Sequence, residues 1–263
     1  MPEIDAGPLR IYYERRGSGP PLLFLNGSGA TLASSGLLID LFTDRFDVAA
    51  HDQRGLGRTS VPPGPYSMAD YAADAVAVLD ALGWATARVV GVSFGGMVAQ
   101  ELAVTFHDRV ERLALVCTSP GGSSASYPLH ELAALDDAAR AAMRPLLLDT
   151  RFTPEWLAAH PNDERLAAMM AGRSDPQSSG EQARGETEQL LARSRHDVLA
   201  RLGSITCPTL VASGRYDGIA PVANGEAIAQ RVPGAELRMY EGGHAFFVQD
   251  PTALPEIIEF LAG

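Results

Sequence analysis

The chain has 263 residues, 46% of them hydrophobic and 20% charged. That profile excludes collagen-like repeats, disordered tracts and membrane spans, and it suits one domain. Acidic residues outnumber basic ones by 32 to 21, for a formal charge of −11; a surface of that sign repels phosphate backbones and anionic lipid, so neither nucleic acid nor membrane is an expected partner.

Short β-rich runs alternate with helical patterns along the chain. Leu9–Arg15 reads as a strand, and Pro21–Leu25 as a buried one running into the turn Asn26-Gly27-Ser28-Gly29. Phe46–Ala50 is the next strand, leading into His51-Asp52-Gln53-Arg54-Gly55. Ser67–Leu82 is an amphipathic helix with Met68, Tyr71, Ala75, Val78, Leu79 and Leu82 at helical spacing and a capping box between Ser67 and Asp70. Arg88–Val92 is a strand, Phe94–Phe106 a helix and Val110–Thr118 a strand. Between Gly121 and Leu202 no strand is expected; the stretch is Ala-rich and helical, broken by Pro145, Pro154, Pro161 and Pro176. Strand Thr209–Ser213, helix Pro221–Arg231, strand Glu236–Tyr240 and helix Leu254–Leu261 complete the order. Strands separated by helices imply right-handed crossovers and a mostly parallel sheet covered on both faces.

The composition narrows the chemistry. All 21 basic residues are arginine, which removes Schiff-base and P-loop mechanisms, since both need a lysine amine. Cys117 and Cys207 lack the spacing of a zinc site or a CxxC motif and read as buried apolar filler. The start, MPEIDAGPLR, has neither a basic nor an apolar leader segment, so the cytoplasm is the expected compartment.

One motif stands out. Gly91-Val92-Ser93-Phe94-Gly95 matches G-x-S-x-G between an expected strand and an expected helix. The serine there must take a strained turn, and small flanking residues let strand and helix pass closely. A serine hydroxyl needs a base and an orienting acid. Of the six histidines, only His244 follows the last expected strand, on the Gly-rich loop Glu241-Gly242-Gly243-His244. Asp217 sits just past Leu210–Ser213 in Gly214-Arg215-Tyr216-Asp217. Both positions are at the C-terminal edge of the sheet. Asp52 and Arg54 read as braces of their own loop, and Glu101 as a structural hydrogen-bonding group.

With the elbow, Asp52-Gln53-Arg54-Gly55-Leu56-Gly57, Gly214-x-x-Asp217-x-x-x-Pro221 and Gly242-Gly243-His244, the chain resembles the α/β-hydrolase fold superfamily. It is most similar to the branch of 3-oxoadipate enol-lactonases, metal-free haloperoxidases and small carboxylesterases. The resemblance implies an α/β core over 1–120 and 203–263 and a helical cap over 121–202, inserted after the sixth strand. It implies the triad Ser93, Asp217 and His244, in the family's chain order, with no metal or organic cofactor. The oxyanion hole would use the backbone N–H groups of Ser28 and Phe94. Where the family has His-Gly this chain has Asn26-Gly27, so the Asn26 amide is expected to replace the imidazole's hydrogen bonds.

The expected activity is hydrolysis of a small carboxylic ester or lactone. C–C bond hydrolysis and haloperoxidase or perhydrolase chemistry are alternatives on the same triad, and a non-catalytic small-ligand receptor is the rival from another class. Haloalkane dehalogenases and epoxide hydrolases of this fold carry an aspartate where Ser93 stands. Asn26 and Gly27 are candidates for the substrate pocket. Phe94, Trp156, Phe246 and Phe247 are candidates either for that pocket or for the core, and no arginine can be assigned to bind a substrate carboxylate.

Overall fold

In the computed structural model residues 3–173 and 180–263 are described; the break expected at Pro176 lies outside them. The central sheet runs β1 (Glu3–Ala6), β2 (Leu9–Gly17), β4 (Asp47–His51), β3 (Pro21–Leu25), β5 (Ala87–Val92), β6 (Val110–Val116), β7 (Thr209–Gly214), β8 (Glu236–Tyr240). The pairs β1–β2 and β2–β4 are antiparallel and all others parallel. Leu25 stands opposite Gly91, Val92 opposite Val116, and Val116 opposite Ala212. That register brings the loops after β3, β5, β6 and β7 to one edge.

The inner parallel strands are apolar on both faces over most of their length because each face is covered, whereas the edge strand β8 is partly exposed. Val89, Leu113 and Leu115 point to one core, with helices α2 (Met68–Ala81) and α3 (Phe94–Thr105). Val90, Ala114 and Val116 point to the other, with α1 (Leu32–Asp40) and α10 (Ala253–Ala262). The period of two along each strand is what sorts them. Helix α8 (Val222–Ala229) follows β7, and the short α9 (Phe246–Gln249) follows β8.

Three elements were not foreseen, the short α9 among them. β1, sequence EIDA, is half exposed and pairs with β2 alone, and its acidic residues are poor strand formers. α1 contains two serines and a glycine; it is held by a capping box between Thr31 and Ser34 and by burial of Leu32 and Ile39. β6 stops at Val116, before Thr118, because Cys117 turns to φ 44°.

Between β6 and β7 the described chain is helical: α4 (Asp137–Leu148), α5 (Pro154–Ala159), α6 (Pro161–Arg173) and α7 (Glu181–Ser194). Pro154 and Pro161 each open a helix, where the missing N–H costs nothing. Pro145 does not break α4 as expected; the helix runs three residues past it, and Asp149 N–H bonds back to the Pro145 carbonyl. Among the described residues no helix is long and apolar enough to cross a membrane.

Candidate active site

Ser93 joins β5 to α3 at φ 55°, ψ −113°, a left-handed conformation that a non-glycine residue holds only when its surroundings demand it. Its N–H donates to the Val116 carbonyl at 2.8 Å, and its carbonyl accepts from Thr118 Oγ1 at 2.7 Å and Gly96 N–H at 2.9 Å. The flanking glycines have a steric cause. A Cβ at Gly91 would lie 2.4 Å from the Gly95 carbonyl oxygen, and one at Gly95 would lie 2.0 Å from the Leu25 oxygen.

The loops after β7 and β8 meet this turn. His244 Nε2 is 2.9 Å from Ser93 Oγ, and His244 Nδ1 is 2.8 Å from Asp217 Oδ2. The other Asp217 oxygen accepts two backbone N–H groups, Ile219 and Ala220, both at 2.8 Å. A carboxylate only accepts, so it holds the imidazole proton on Nδ1 and leaves the Nε2 lone pair facing the serine hydroxyl. The arrangement can therefore take a proton from Ser93 and keep the resulting imidazolium beside a negative charge.

The other histidines stand apart from this path. His51 and His196 are buried, and burial pushes each down to about 4, so both are neutral at neutral pH. His160 stacks on Trp156 with ring centroids 3.9 Å apart. Cys117 is buried behind the serine; burial first, and then the Asp217 charge, push its thiol well up, which leaves it inert. Asp52 accepts the N–H groups of Leu32 and Arg58, Arg54 pairs with Asp74, and Glu101 pairs with Arg201.

Among the described residues, neither the Ser28 nor the Phe94 N–H meets an acceptor, while the next N–H after Ser28, that of Gly29, is engaged. It donates to Gln189 Oε1 at 2.8 Å; Gln189 Nε2 donates to Gln53 Oε1 at 2.8 Å; Gln53 Nε2 donates to the Asn26 carbonyl at 2.9 Å. Two glutamines thus clamp both ends of the Asn26–Gly29 turn. This corrects the expectation for Asn26: its side-chain Nδ2 is buried with no partner, and the brace runs through its backbone oxygen instead. Gly27 adjoins Ser93, since a Cβ there would stand 3.5 Å from Ser93 Cβ.

The two distant pocket candidates have other surroundings. Phe246 is fully buried, stacked on Tyr240 at 5.1 Å and edge-on to Phe247 at 5.8 Å; it is core, because α9 turns it under the sheet edge. Trp156 packs with Leu148, Phe152 and Ala245, and its Nε1–H donates to Asp163 at 2.8 Å. Two features were not foreseen. The Leu148 carbonyl at the end of α4 accepts the His244 backbone N–H at 2.6 Å, and Gln249 links Gly243 N–H to Asp149. Gln53 lay within a recognised motif, but nothing marked Gln189 as its partner.

A model of the alpha/beta hydrolase fold family matches residues 20–251. The "Putative carbamate hydrolase RutD" of Caulobacter segnis is 32% identical over 255 residues, 92% of this chain and 91% of the relative. The 3-oxoadipate enol-lactonase 2 of Acinetobacter baylyi is 27% identical, over 91% of this chain and 87% of that protein. Among solved structures, a hydrolase from Pseudomonas aeruginosa superposes with a TM-score of 0.77 at 31% identity, covering 98% of this chain and all of the other. The match spans the elbow, the Asp217 turn and the His244 loop alike, and the chain is a hydrolase belonging to the alpha/beta hydrolase fold family.

Proposed function

We propose that the chain hydrolyses a small carboxylic ester or lactone through an acyl-enzyme on Ser93. The observation that carries this reading is the unbroken path from Asp217 through His244 to Ser93, with links of 2.8 and 2.9 Å. His244 Nε2 takes the hydroxyl proton as Oγ attacks the carbonyl carbon. Asp217 steadies the imidazolium. The Ser28 and Phe94 N–H groups stabilise the developing oxyanion, each worth about 3–4 kcal/mol in comparable sites. His244 then protonates the leaving alkoxide, and the acyl-enzyme forms. Water, deprotonated by His244, attacks the acyl carbon, and the proton returns to Ser93 as the acid departs.

In this reading residues 121–202 cap a core of 1–120 and 203–263. The contacts that support it are those of Leu148 to His244 and of Gln189 to Gly29 and Gln53. A carbamate is a second acyl substrate for the same attack, favoured by the name of the 32% identical relative; loss of its alcohol would leave a carbamoyl-enzyme, and water would release a carbamic acid that breaks down to amine and carbon dioxide.

The test is hydrolysis of p-nitrophenyl esters from acetate to octanoate, with simple lactones and an N-alkyl carbamate beside them, in wild type and Ser93→Ala. Turnover lost in the variant supports the reading, and the chain-length profile sizes the pocket. Turnover retained in Ser93→Ala refutes it. Labelling of Ser93 by a phosphonate without turnover of any substrate would favour a receptor.

A further inference from the structure

Helix α7 turns Gly185, Gln189, Ala192 and Arg193 inward. Arg193 is the one buried arginine among the described residues, 5% exposed, and no carboxylate among them lies within 4 Å of it. The contrast is with Arg54 and Arg151, which are more exposed and hold Asp74 at 2.7 Å and Asp149 at 2.6 Å. Arg193 spends Nη1 on the Tyr127 carbonyl and Nη2 on Ser126 Oγ, both at 2.7 Å and both neutral. Its Nε–H has no partner.

That guanidinium lines a cavity of about 70 Å³ together with Met97, Ser119, Ser126 and His130. Three residues of this lining each carry a buried polar atom with no partner: Arg193 Nε, Ser119 Oγ and His130 Nδ1. All three can donate a proton. An uncompensated buried charge beside unpaired donors is costly to keep, and a bound anion would relieve every one of these costs together. Burial draws the guanidinium down to about 10, with the Asp217 charge acting the other way; it stays charged at neutral pH.

The cavity's lining belongs to the elements that carry or hold Ser93. Met97 is one turn along α3 from Ser93. Ser119 follows Thr118, whose hydroxyl holds the Ser93 carbonyl. The Ser124–Tyr127 loop is tied to the far side of the site by Tyr127 N–H to the Ile219 carbonyl at 2.7 Å and Asn224 Nδ2 to the Ser124 carbonyl at 2.8 Å.

We propose that this cavity is an anion subsite for a carboxylate carried by the substrate itself, held by Arg193 Nε–H, Ser119 O–H and the His130 ring. It rests on the ester or lactone reading and deepens it: the substrate is a half-ester or a carboxylate-bearing lactone. A single cation in so small a space suits a monoanionic carboxylate rather than a phosphate dianion.

The experiment compares p-nitrophenyl hydrogen glutarate with the neutral p-nitrophenyl valerate in wild type, Arg193→Met and Ser119→Ala. Wild type should favour the half-ester in kcat/KM, and Arg193→Met should cut that ratio about 10- to 100-fold, mainly through KM. Ser119→Ala should cut it about 3- to 10-fold and carries the test if Arg193→Met fails to fold. Glutarate should inhibit valerate hydrolysis competitively in wild type and at least tenfold more weakly in Arg193→Met. A ratio near one in wild type, a ratio unaltered by both substitutions, or noncompetitive inhibition, which would mean a separate effector site, overturns the proposal. Valerate turnover that Ser93→Ala abolishes keeps the serine reading intact whatever the ratio shows. If neither ester is hydrolysed, calorimetry with glutarate decides: binding weakened tenfold or more in Arg193→Met supports the subsite, and equal or absent binding refutes it.

Discussion

Replacing Gln189 with leucine removes the middle of the chain that clamps the turn after β3. Gln53 and Gln189 are each 1% exposed, so Gln53 Oε1 would lose its donor with no water to replace it, a cost of about 1–3 kcal/mol. The Gly29 N–H lies in a more exposed loop and loses one ordinary hydrogen bond, about 0.5–1.5 kcal/mol. Together the fold should lose about 2–4 kcal/mol, read as a shift of the urea midpoint at constant slope. The catalytic effect follows from position: Gly29 is next to Ser28, whose free N–H is assigned to the oxyanion. Outright loss of one such donor costs about 10²–10³ in kcat, and a loosened one should cost about 10- to 100-fold. The loss belongs in kcat because the oxyanion exists only in the transition state and its intermediate. Gln189→Glu keeps the acceptor for Gly29 but presents no donor to Gln53 when ionised, and should fall between. A folded Gln189→Leu enzyme with kcat within twofold of wild type, or with only KM raised, would refute this account of the clamp.

Asp217→Asn should retain the fold and lower kcat by about 10⁴-fold, since an amide facing Nδ1 forces the proton onto Nε2; the measurement is the steady-state rate on the best ester, and a loss below tenfold would contradict the role assigned to Asp217. Gly95→Ala should destabilise by about 1–3 kcal/mol or more in urea unfolding and depress activity as well, because its Cβ would press on the Leu25 oxygen just before the oxyanion turn, 2.0 Å away. Acid should weaken the fold before the carboxylates titrate. His51 and His196 sit near 4 when folded and about 6.5 when unfolded, so the unfolded chain binds more protons between those values and stability falls as pH drops. From pH 7 to pH 5 the loss is about 2 kcal/mol per histidine. His196→Leu should flatten that pH dependence by about one histidine's share, and an unchanged slope in urea titrations across pH 5–7 would count against it.

The constellation of Ser93, Asp217 and His244 was legible because its requirements are local. Ser93 is flanked by glycines for a clash that any side chain there would cause, Asp217 follows the buried strand β7, and His244 follows the last strand on a glycine-rich loop. The strands β3 and β7 read correctly because both are buried apolar runs. Phe246 was ambiguous because an aromatic two residues past His244 suits a pocket or a core equally well; only the turn into α9, which stacks it on Tyr240, decides. Pro145 misled because α4 buries Leu147 and Leu148 beyond it, and that burial holds the last turn in spite of one missing hydrogen bond that a sequence pattern counts as a stop.

What positions the reacting groups was illegible, and the reason is sequence separation. Gln189 lies 136 residues from Gln53 and 160 from Gly29, and Gln249 lies 100 from Asp149. In a helix of sequence EQARGETEQLLARS, a glutamine carries no local sign of being buried, because its burial depends on the turn it covers and not on its neighbours. Arg193 has the same character. One helical turn beyond Gln189, on the same inward face, it joins the clamp on the oxyanion turn to the cavity beside α3. Gln189, which braces the Asn26–Gly29 turn, and Arg193, the proposed carboxylate ligand, thus sit one turn apart on a single helix.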